Sequence, residues 1–558
     1  MNVQGGIMKS IKSLKLITTT LILILIATAC GPTSEPPTAV PTSIGGESPA
    51  TEVPAPGGGK LIYGLTLAPS GIDPHVNASS ELGIPLTSVY DTLVWQDLNG
   101  EFVPGLAESW EISDDGLTYT FHLRDDVVFH DGTPFNAQAV KFNLDRIADP
   151  VTKSQKAVFM LGPYESTEIV DAYTLQVHFK EPYAPFLDSA SQVYLGIASP
   201  TAVEKWGADY QLHQIGTGPF IIKEYSPRDH LTLVRNPDYN WAPTIFNHQG
   251  PADLEEIEFR FFIEPATRAL ALEGGEADVM GEIPPHDAER LAEDPAFTLL
   301  PVAIPGQSLQ FFLNTEKAPT DDLQVRQAIN YATDKEAITK AIFKEYSPVA
   351  HGPLDAFTIG YDEGVVGMYK YDPAKAETLL EEAGWVDSDG DGIREKDGQP
   401  LKLEAYLMSW GYIPEVAQLL QAHLKTVGIE MESQVVAYPA ALEAAREGKH
   451  NLIPFSLSSS DPDILRTFFH SSNADSGFNW SKVRDPKLDE LLENGARTLD
   501  LDRRRALYAE TQQLIMAEAL ILPIRDYVNV NAANAKVKGL RYDLRGWFPW
   551  LYDVYLEK

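Results

Sequence analysis

The residues with the strongest claim to chemistry form one short run, Asp387-Ser388-Asp389-Gly390-Asp391-Gly392-Ile393. Carboxylates at alternate positions, with glycine sixth, can wrap an oxygen-seeking cation such as calcium. In that frame the twelfth position, where a calcium loop supplies a bidentate acid, is Gly398. The run is therefore expected to be a polar hairpin turn between a helix closed by Gly384 and a strand beginning at Leu401, and no metal site is assigned. No HExxH, GxSxG, Walker A or dinucleotide-binding glycine pattern occurs. The 12 histidines are scattered, with none paired at metal-ligand spacing on a helix. Carboxylates are abundant, but nothing singles out a pair suited to glycoside hydrolysis. The single cysteine, Cys30, leaves the chain beyond it without disulfides, thiol nucleophiles, iron–sulfur clusters or cysteine-based zinc sites. The expectation is a protein that is not an enzyme and needs no cofactor.

Composition narrows the class further. A formal net charge of −35 argues against nucleic acid as a partner, because neutralising phosphates requires a basic surface. The same charge argues against adsorption of the protein surface to an anionic membrane and favours solubility through self-repulsion. Apolar residues make up 44% of the chain, which is globular rather than disordered composition. Beyond Gly59 about 500 residues remain, more than one core supports, so at least two domains are expected.

The elements that must position any site alternate between strands and helices. Leu61 to Leu67 reads as a strand ending in the turn-forming APSGIDPH. TYTFHL around Phe121 and TLQVHF around Val177 alternate apolar and polar residues as half-buried strands do. Asn136 can cap a helix whose apolar face is Val140, Leu144 and Ile147. Asp322 precedes a helix carrying Val325, Ile329 and Ala332, and Asp334 can cap another with Ile338 and Ile342. Asp372-Pro373 opens a further helix, Leu401 to Leu407 reads as a strand, and a helix runs from about Pro414 to Val427. Asp461-Pro462 reads as a helix start, with aspartate as N-cap and proline at the first helical position. Trp95, Trp110, Phe129 and Phe135 are assigned to the core, and Gly216-Thr217-Gly218-Pro219 to a tight packing turn. The fold class is mixed α/β and multi-domain, with no internal repeat.

The N-terminus is organised differently. Lys9, Lys12 and Lys15 precede the apolar stretch LITTTLILILIATA, and Met8 stands directly before them as an alternative start. With the small residues Ala27, Thr28 and Ala29 next, residues 1–29 read as an export signal, too short to span a bilayer comfortably. Cys30 resembles the acylated cysteine of the bacterial lipoprotein lipobox, although Ala27 stands where a branched residue or leucine is usual. The Pro/Ser/Thr/Gly-rich residues 30–59 read as a tether that cannot bury enough apolar surface to fold. It reaches roughly 30 Å as coil and about 90 Å as polyproline II. The expected location is extracytoplasmic, anchored to the cell membrane through lipid on Cys30.

Several blocks resemble the extracytoplasmic solute-binding proteins of peptide-type ABC importers, the family of oligopeptide-, dipeptide- and nickel-binding proteins. They are YDTLVWQDLNGEFVPGLAESWEISDDGLTYTFHLRDDVVFHDGTPFNAQAVKFN from Tyr90, IGTGPFIIKEYSPRDHLTLVRNPDYN from Ile215, FFLNTEKAPTDDLQVRQAINYATDKEAI from Phe311, and AGWVDSDGDGIREKDG. The resemblance runs in matching order from about Lys60 to the C-terminus. It implies a two-lobed periplasmic-binding-protein-like fold with an extra inserted domain, the lobes hinged around a ligand cleft. The first domain would be discontinuous, 60–95 with 215–301 and 522–558; the inserted second domain would cover 96–214 and the third 302–521. Chain crossings near Pro301 and Pro523 would form the hinge. The resemblance further implies a monomeric receptor that delivers a peptide or peptide-sized solute to permease subunits. Its contact candidates are Leu67, Ala68, Pro69, Trp410, Phe455, Ser456, Leu457, Ser458, Ser459 and Trp480. Peptide binders of the family hold the α-ammonium with an aspartate three places before the "DP" pair, and here that residue is Ser458. A neutral hydroxyl does not replace a carboxylate that compensates a buried charge. Another acid, or a ligand without a free amine at that spot, is required. Blocked or cyclic peptides, oligosaccharides and nickel or other metal chelates therefore stay open as solutes, and a lipid-anchored secreted hydrolase is the rival from another class.

Overall fold

The computed structural model describes residues 58–69 and 71–557. The expected signal peptide, Cys30 and the tether up to residue 57 lie outside the described residues. Two large sheets organise the rest. A seven-stranded sheet runs in the order Phe297–Ala303, Val528–Asn534, Val279–Met280, Lys60–Leu65, Glu256–Phe261, His230–Arg235, Phe220–Ser226. Lys60–Leu65 pairs in parallel with both neighbours, and the remaining pairs are antiparallel. A five-stranded sheet has the order Glu430–Val435, Lys402–Leu407, Leu452–Phe455, Leu309–Leu313, Ile521–Arg525. Between residues 107 and 179 a third, four-stranded antiparallel sheet is inserted, containing Thr118–Leu123 and Thr174–Phe179 at its centre.

Period-two alternation decides which core each side chain joins. In the strand Leu309–Leu313, Leu309, Phe311 and Leu313 enter one apolar cluster while Phe312 enters a second on the opposite face. Leu452 and Leu522 follow the first group, Ile453, Phe455 and Ile521 the second. Helices therefore cover both faces, and the three strands are buried from end to end. Tyr119, Phe121, Leu175 and Val177 of the inserted sheet join instead the core of the seven-stranded sheet. The two large sheets thus own separate cores, the condition for two lobes.

Helix caps follow the sequence. Asn136 accepts from the Ala139 N–H at the start of Ala137–Ala148, and Asp322, Asp334 and Asp372 cap their helices in the same way. Asp461-Pro462 does not start a helix. Asp461 is drawn into a bidentate pair with Arg504, 2.7 Å on each arm, and its Oδ1 also accepts from the Asp463 N–H at 2.8 Å. That turn delays the helix to Ile464–Phe469. Phe129 and Phe135 are core residues, while Trp95 and Trp110 are only half-buried.

The chain passes between the two large sheets at residues 304–308 and 526–527. Both crossings fall beyond the expected ones. Pro301 lies inside its strand opposite Val530, and Pro523 lies opposite Gln310 in the five-stranded sheet. Pro523 is accommodated beside a register shift at Leu309/Gln310, where the ladder is already interrupted.

The Gly216–Pro219 turn packs backbone on backbone. A Cβ on Gly216 would stand 2.1 Å from the Val89 carbonyl oxygen, and one on Gly218 2.7 Å from that of Ser88. Gly216→Ala is expected to lower stability by about 1–3 kcal/mol, the usual cost of overpacking a site that cannot yield. Urea unfolding, read as a lowered midpoint at unchanged slope, checks it.

Candidate functional site

The strand Leu452–Phe455 leaves the middle of the five-stranded sheet and becomes the loop 456–460, which turns back onto the first crossing. Gln307 N–H donates to the Leu457 carbonyl at 3.0 Å, and Ser459 N–H to the Pro305 carbonyl at 2.9 Å. These two bonds flank a bridge between Gly306 and Ser458. Gly306 has φ +135°, and a Cβ there would lie 2.5 Å from both Leu457 O and Ser459 N. Only glycine lets the crossing and the loop approach so closely. Because its neighbours make the bridging bonds, Ser458 turns its own N–H and C=O away from the crossing. Neither group has a partner among the described residues. Ala68, after the strand Lys60–Leu65, is in the same condition, while the Leu67 N–H is turned to the Glu81 carboxylate and the Leu67 side chain is 55% exposed.

Phe455 is the hub of an aromatic wall. Its ring centroid lies 4.9 Å from that of Trp480 and 6.1 Å from that of Trp410. Tyr438 stacks on it at 6.2 Å. Three of the expected contact residues thus meet in one cluster, but they differ in reach. Trp410 is 37% exposed and Leu457 41%, whereas Trp480 is 1% exposed, with its indole N–H unpartnered. Trp480 therefore supports the wall from behind rather than presenting its own face. Ser456, Ser458 and Ser459 are half-buried. Ser459 Oγ is spent locally on the Asp461 carbonyl.

Ser460 makes the contact that spacing did not reveal. Its hydroxyl donates to Asp188, just beyond the inserted sheet. Asp188 also accepts from Arg545 Nη2 at 2.8 Å, and Arg545 reaches Ser191 Oγ at 2.7 Å and Asp543 at 3.3 Å. Nearby, Ala184 N–H donates to the Ala496 carbonyl at 3.0 Å, and Arg497 pairs with Glu181. The lobes therefore touch along residues 181–188 and 460–497. Asp188 and Arg545 are 357 positions apart, so no local pattern could have joined them.

Charge concentrates at the crossings. Arg525 ends the five-stranded sheet with its guanidinium 4.0 Å from the Phe343 ring centroid and 4.3 Å from that of Tyr527. Tyr527 donates to Glu282 at 3.2 Å, and Glu282 pairs with Arg268, carrying the contact into the other lobe. Asp526 lies in the second crossing and Asp355 beside the first, each with one carboxylate oxygen unpartnered. Burial, reinforced by Asp526, pushes the Asp355 carboxyl up to about 8. Burial likewise pushes Asp526 up to about 7, and draws the Lys335 ammonium down to about 8 against the pull of Asp526. Glu81, which accepts from Thr66, is pushed up to about 8, chiefly by burial and then by Glu282.

The Asp387–Ile393 run forms the expected turn. Asp387 accepts from the Gly390 and Gly392 N–H groups, Asp389 from Asp391 and Asp391 from Ile393. These three acids and Glu395 bring carboxylate oxygens within 4.8 Å of one another at the surface. The histidines do not assemble a ligand set with other His, Cys, Asp or Glu among the described residues.

Residues 101–476 match the sequence profile described as bacterial extracellular solute-binding proteins, family 5 Middle. The nickel-binding periplasmic protein of Escherichia coli (strain K12) is 30% identical over 469 residues, covering 81% of this chain and 86% of that protein. The crystal structure of NikA from Brucella suis in complex with Fe(III)-EDTA superposes with a TM-score of 0.80 at 27% identity, covering 89% of this chain and 100% of that one. DppA from Helicobacter pylori, in complex with peptide STSA, gives 0.75 at 27% identity over 91% of this chain and 100% of that one.

The carboxyls at the crossings fix a pH dependence. Asp355 and Asp526 have folded-state pKa values above the unfolded value of about 3.9, so between the two the folded protein holds protons that the unfolded chain has released. Stability from these groups therefore falls as pH rises from about 4 to about 8. Asp355→Asn, neutral throughout, is expected to flatten that slope, as measured by melting temperatures from pH 5 to 8.5.

Proposed function

The chain belongs to family 5 of the bacterial extracellular solute-binding proteins, which are receptors of ABC importers rather than enzymes, and on that premise we propose that its solute is an oligopeptide or peptide-sized molecule held between the lobes. The observation that carries this reading is the outward N–H and C=O of Ser458 on the loop stitched to the first crossing. A strand-like ligand satisfies such groups with its own backbone, while side chains lodge beside Leu457, Trp410 and the exposed face of the Phe455 wall. The Ala68 N–H and the carbonyls of Leu67 to Pro69 offer the matching backbone from the first lobe.

The division into domains follows the sheets. A discontinuous first domain carries the seven-stranded sheet, an inserted second domain spans 96–214, and a third carries the five-stranded sheet. The crossings at 304–308 and 526–527 serve as the hinge. Ligand drives closure only through its higher affinity for the closed arrangement, and that arrangement docks on the permease. The receptor acts as a monomer, moored by lipid on Cys30. Among the described residues no helix is long and apolar enough to cross a membrane, and the mooring rests on the sequence before residue 31 alone.

Thermal-shift screening against blocked and free peptides, oligosaccharides and metal chelates tests the solute. A true ligand at 100 times its Kd adds about 2.7 kcal/mol of stability. Recovery of unchanged peptide from native protein is the expected result. Cleaved product would instead support a hydrolase, and a chelate as the sole stabiliser would transfer the reading to metal uptake. Cys30→Ala is expected to release the protein from membranes or leave it unprocessed, at unchanged solute affinity, as read by fractionation and calorimetry.

A further inference from the structure

Asp188 and Ser460 meet from separate bodies of the fold. Asp188 lies in the helix Phe186–Ala190, whose Phe186, Leu187 and Ala190 pack into the core of the seven-stranded sheet. Ser460 lies between Phe455 and Leu465, both of which belong to a core of the five-stranded sheet. The Ser460 hydroxyl donates to Asp188 Oδ1 out of water, with Ser460 1% and Asp188 6% exposed. The neighbouring Arg497–Glu181 pair has side chains 44% and 48% exposed, and an ion pair that open to solvent contributes little. Ala184 N–H to the Ala496 carbonyl is a neutral bond, about half as strong as one to a carboxylate. The buried hydroxyl bond is therefore the strongest of these three contacts between residues 181–188 and 460–497.

The two sides of this contact are unequal in charge. Asp188 is already paired within its own body, Oδ1 accepting from Arg545 Nη2 at 2.8 Å and Oδ2 from Gln192 at 2.9 Å. Arg545 also donates to Ser191 Oγ at 2.7 Å and to Gln96 Oε1 at 3.2 Å. Phe548 and Leu551, which follow it, pack in the same core as Phe186. The ion pair thus forms whether or not the lobes meet, and their meeting adds one neutral hydroxyl. An ion pair split across a moving contact would leave a buried charge uncompensated on each side at every opening. A hydroxyl exchanges its carboxylate for water far more cheaply. Every donor and acceptor here belongs to the chain, so the contact needs no group of a solute. The loop that carries Ser460 is bonded to the first crossing through Leu457 and Ser459, so the contact also restrains that crossing.

We infer that the Ser460–Asp188 contact is a latch that closes the lobes independently of any solute, so that a solute enters only when the latch opens. This rests on the receptor reading and goes beyond it, to how fast the cleft is entered. An interaction made in the closed protein with and without solute gives the solute no differential affinity. The latch therefore cancels from the equilibrium constant and remains in the rates. Weakening it raises the open fraction, and entry and exit rise together by one factor. Ser460 positions the lobes and touches no solute.

Hydrogen exchange of the full chain, refolded from urea to remove carried-over solute, reads the latch directly. The Ala184 amide is bonded across the contact to the Ala496 carbonyl at 3.0 Å, so it exchanges when the lobes part. It should be protected in the native protein. Ser460→Ala should speed its exchange about 10-fold, the share of one hydrogen bond to a charged group. Amides of the buried strand Leu309–Leu313 should keep their rates. An unprotected Ala184 amide in the native protein, an unchanged rate in Ser460→Ala, or a speeding shared by Leu309–Leu313 would overturn the latch. Stopped-flow binding of whichever peptide, oligosaccharide or chelate the thermal screen selects gives the second readout. Association and dissociation should both rise about 10-fold in Ser460→Ala, at an unchanged Kd. A weaker Kd at an unchanged association rate would make Ser460 a solute contact and overturn the latch. If nothing in the screen binds, the receptor reading fails, while the exchange rates still decide the latch because no solute takes part in them.

Discussion

The close approach of Gly306 to Ser458 is the constraint on which the rest of the molecule turns. One strand of the five-stranded sheet ends in a loop, and that loop pairs with the chain as it passes between the lobes. A side chain at residue 306 would collide with the loop backbone on two sides. The pairing fixes which polar groups of the loop are spent and which face outward, since a bridge alternates the two. It also makes the loop 456–460 and the first crossing one body. Under the proposed binding mode, a solute hydrogen-bonded to Ser458 pulls on the crossing itself rather than on a surface appendage.

The second crossing is held by different physics. Its residues are charged or aromatic, and Arg525, Tyr527, Glu282 and Arg268 form a continuous path from one lobe to the other. Groups of this kind are costly to bury and are sensitive to small displacements, because their stabilisation falls away when an aligned pair separates. The separate apolar cores on either side are close-packed and do not deform gradually. Under the proposed closure, motion between the lobes falls on the few residues at 304–308 and 526–527, where no core is opened.

Much of the scaffold was legible in the sequence because its signals are local. Asn136, Asp322, Asp334 and Asp372 cap helices within three residues of themselves, and TYTFHL and TLQVHF declare their buried faces by alternation. Asp461-Pro462 carried the same local signal and misled, since Arg504, 43 residues away, claims the carboxylate. Pro301 and Pro523 look like chain breaks yet sit within strands, where register rather than residue type decides whether proline is tolerated. Trp480 has the residue type of a stacking platform, and only the packing of Phe455 in front of it shows that its face is covered. Asp188, Arg545 and Ser460 had no sequence signature at all. Their association is a product of three chain segments folding together, and single-sequence periodicity carries no term for it.

The overall charge sharpens what the buried arginine at the lobe contact means. With a formal net charge of −35, the protein repels anions at long range. That field is screened beyond about 8 Å at physiological ionic strength, so it slows approach more than it weakens a contact already formed. Asp188 and Asp543 both pair with Arg545, and Gln192 and Ser460 complete the donors to Asp188. In a chain with 79 acidic residues against 44 basic ones, burying an acid such as Asp188 at the lobe contact requires a specific arrangement of a cation and donors around it. The Arg545–Asp188–Ser460 contact supplies that arrangement, and because Ser460 belongs to the second lobe, it is complete only when the lobes meet.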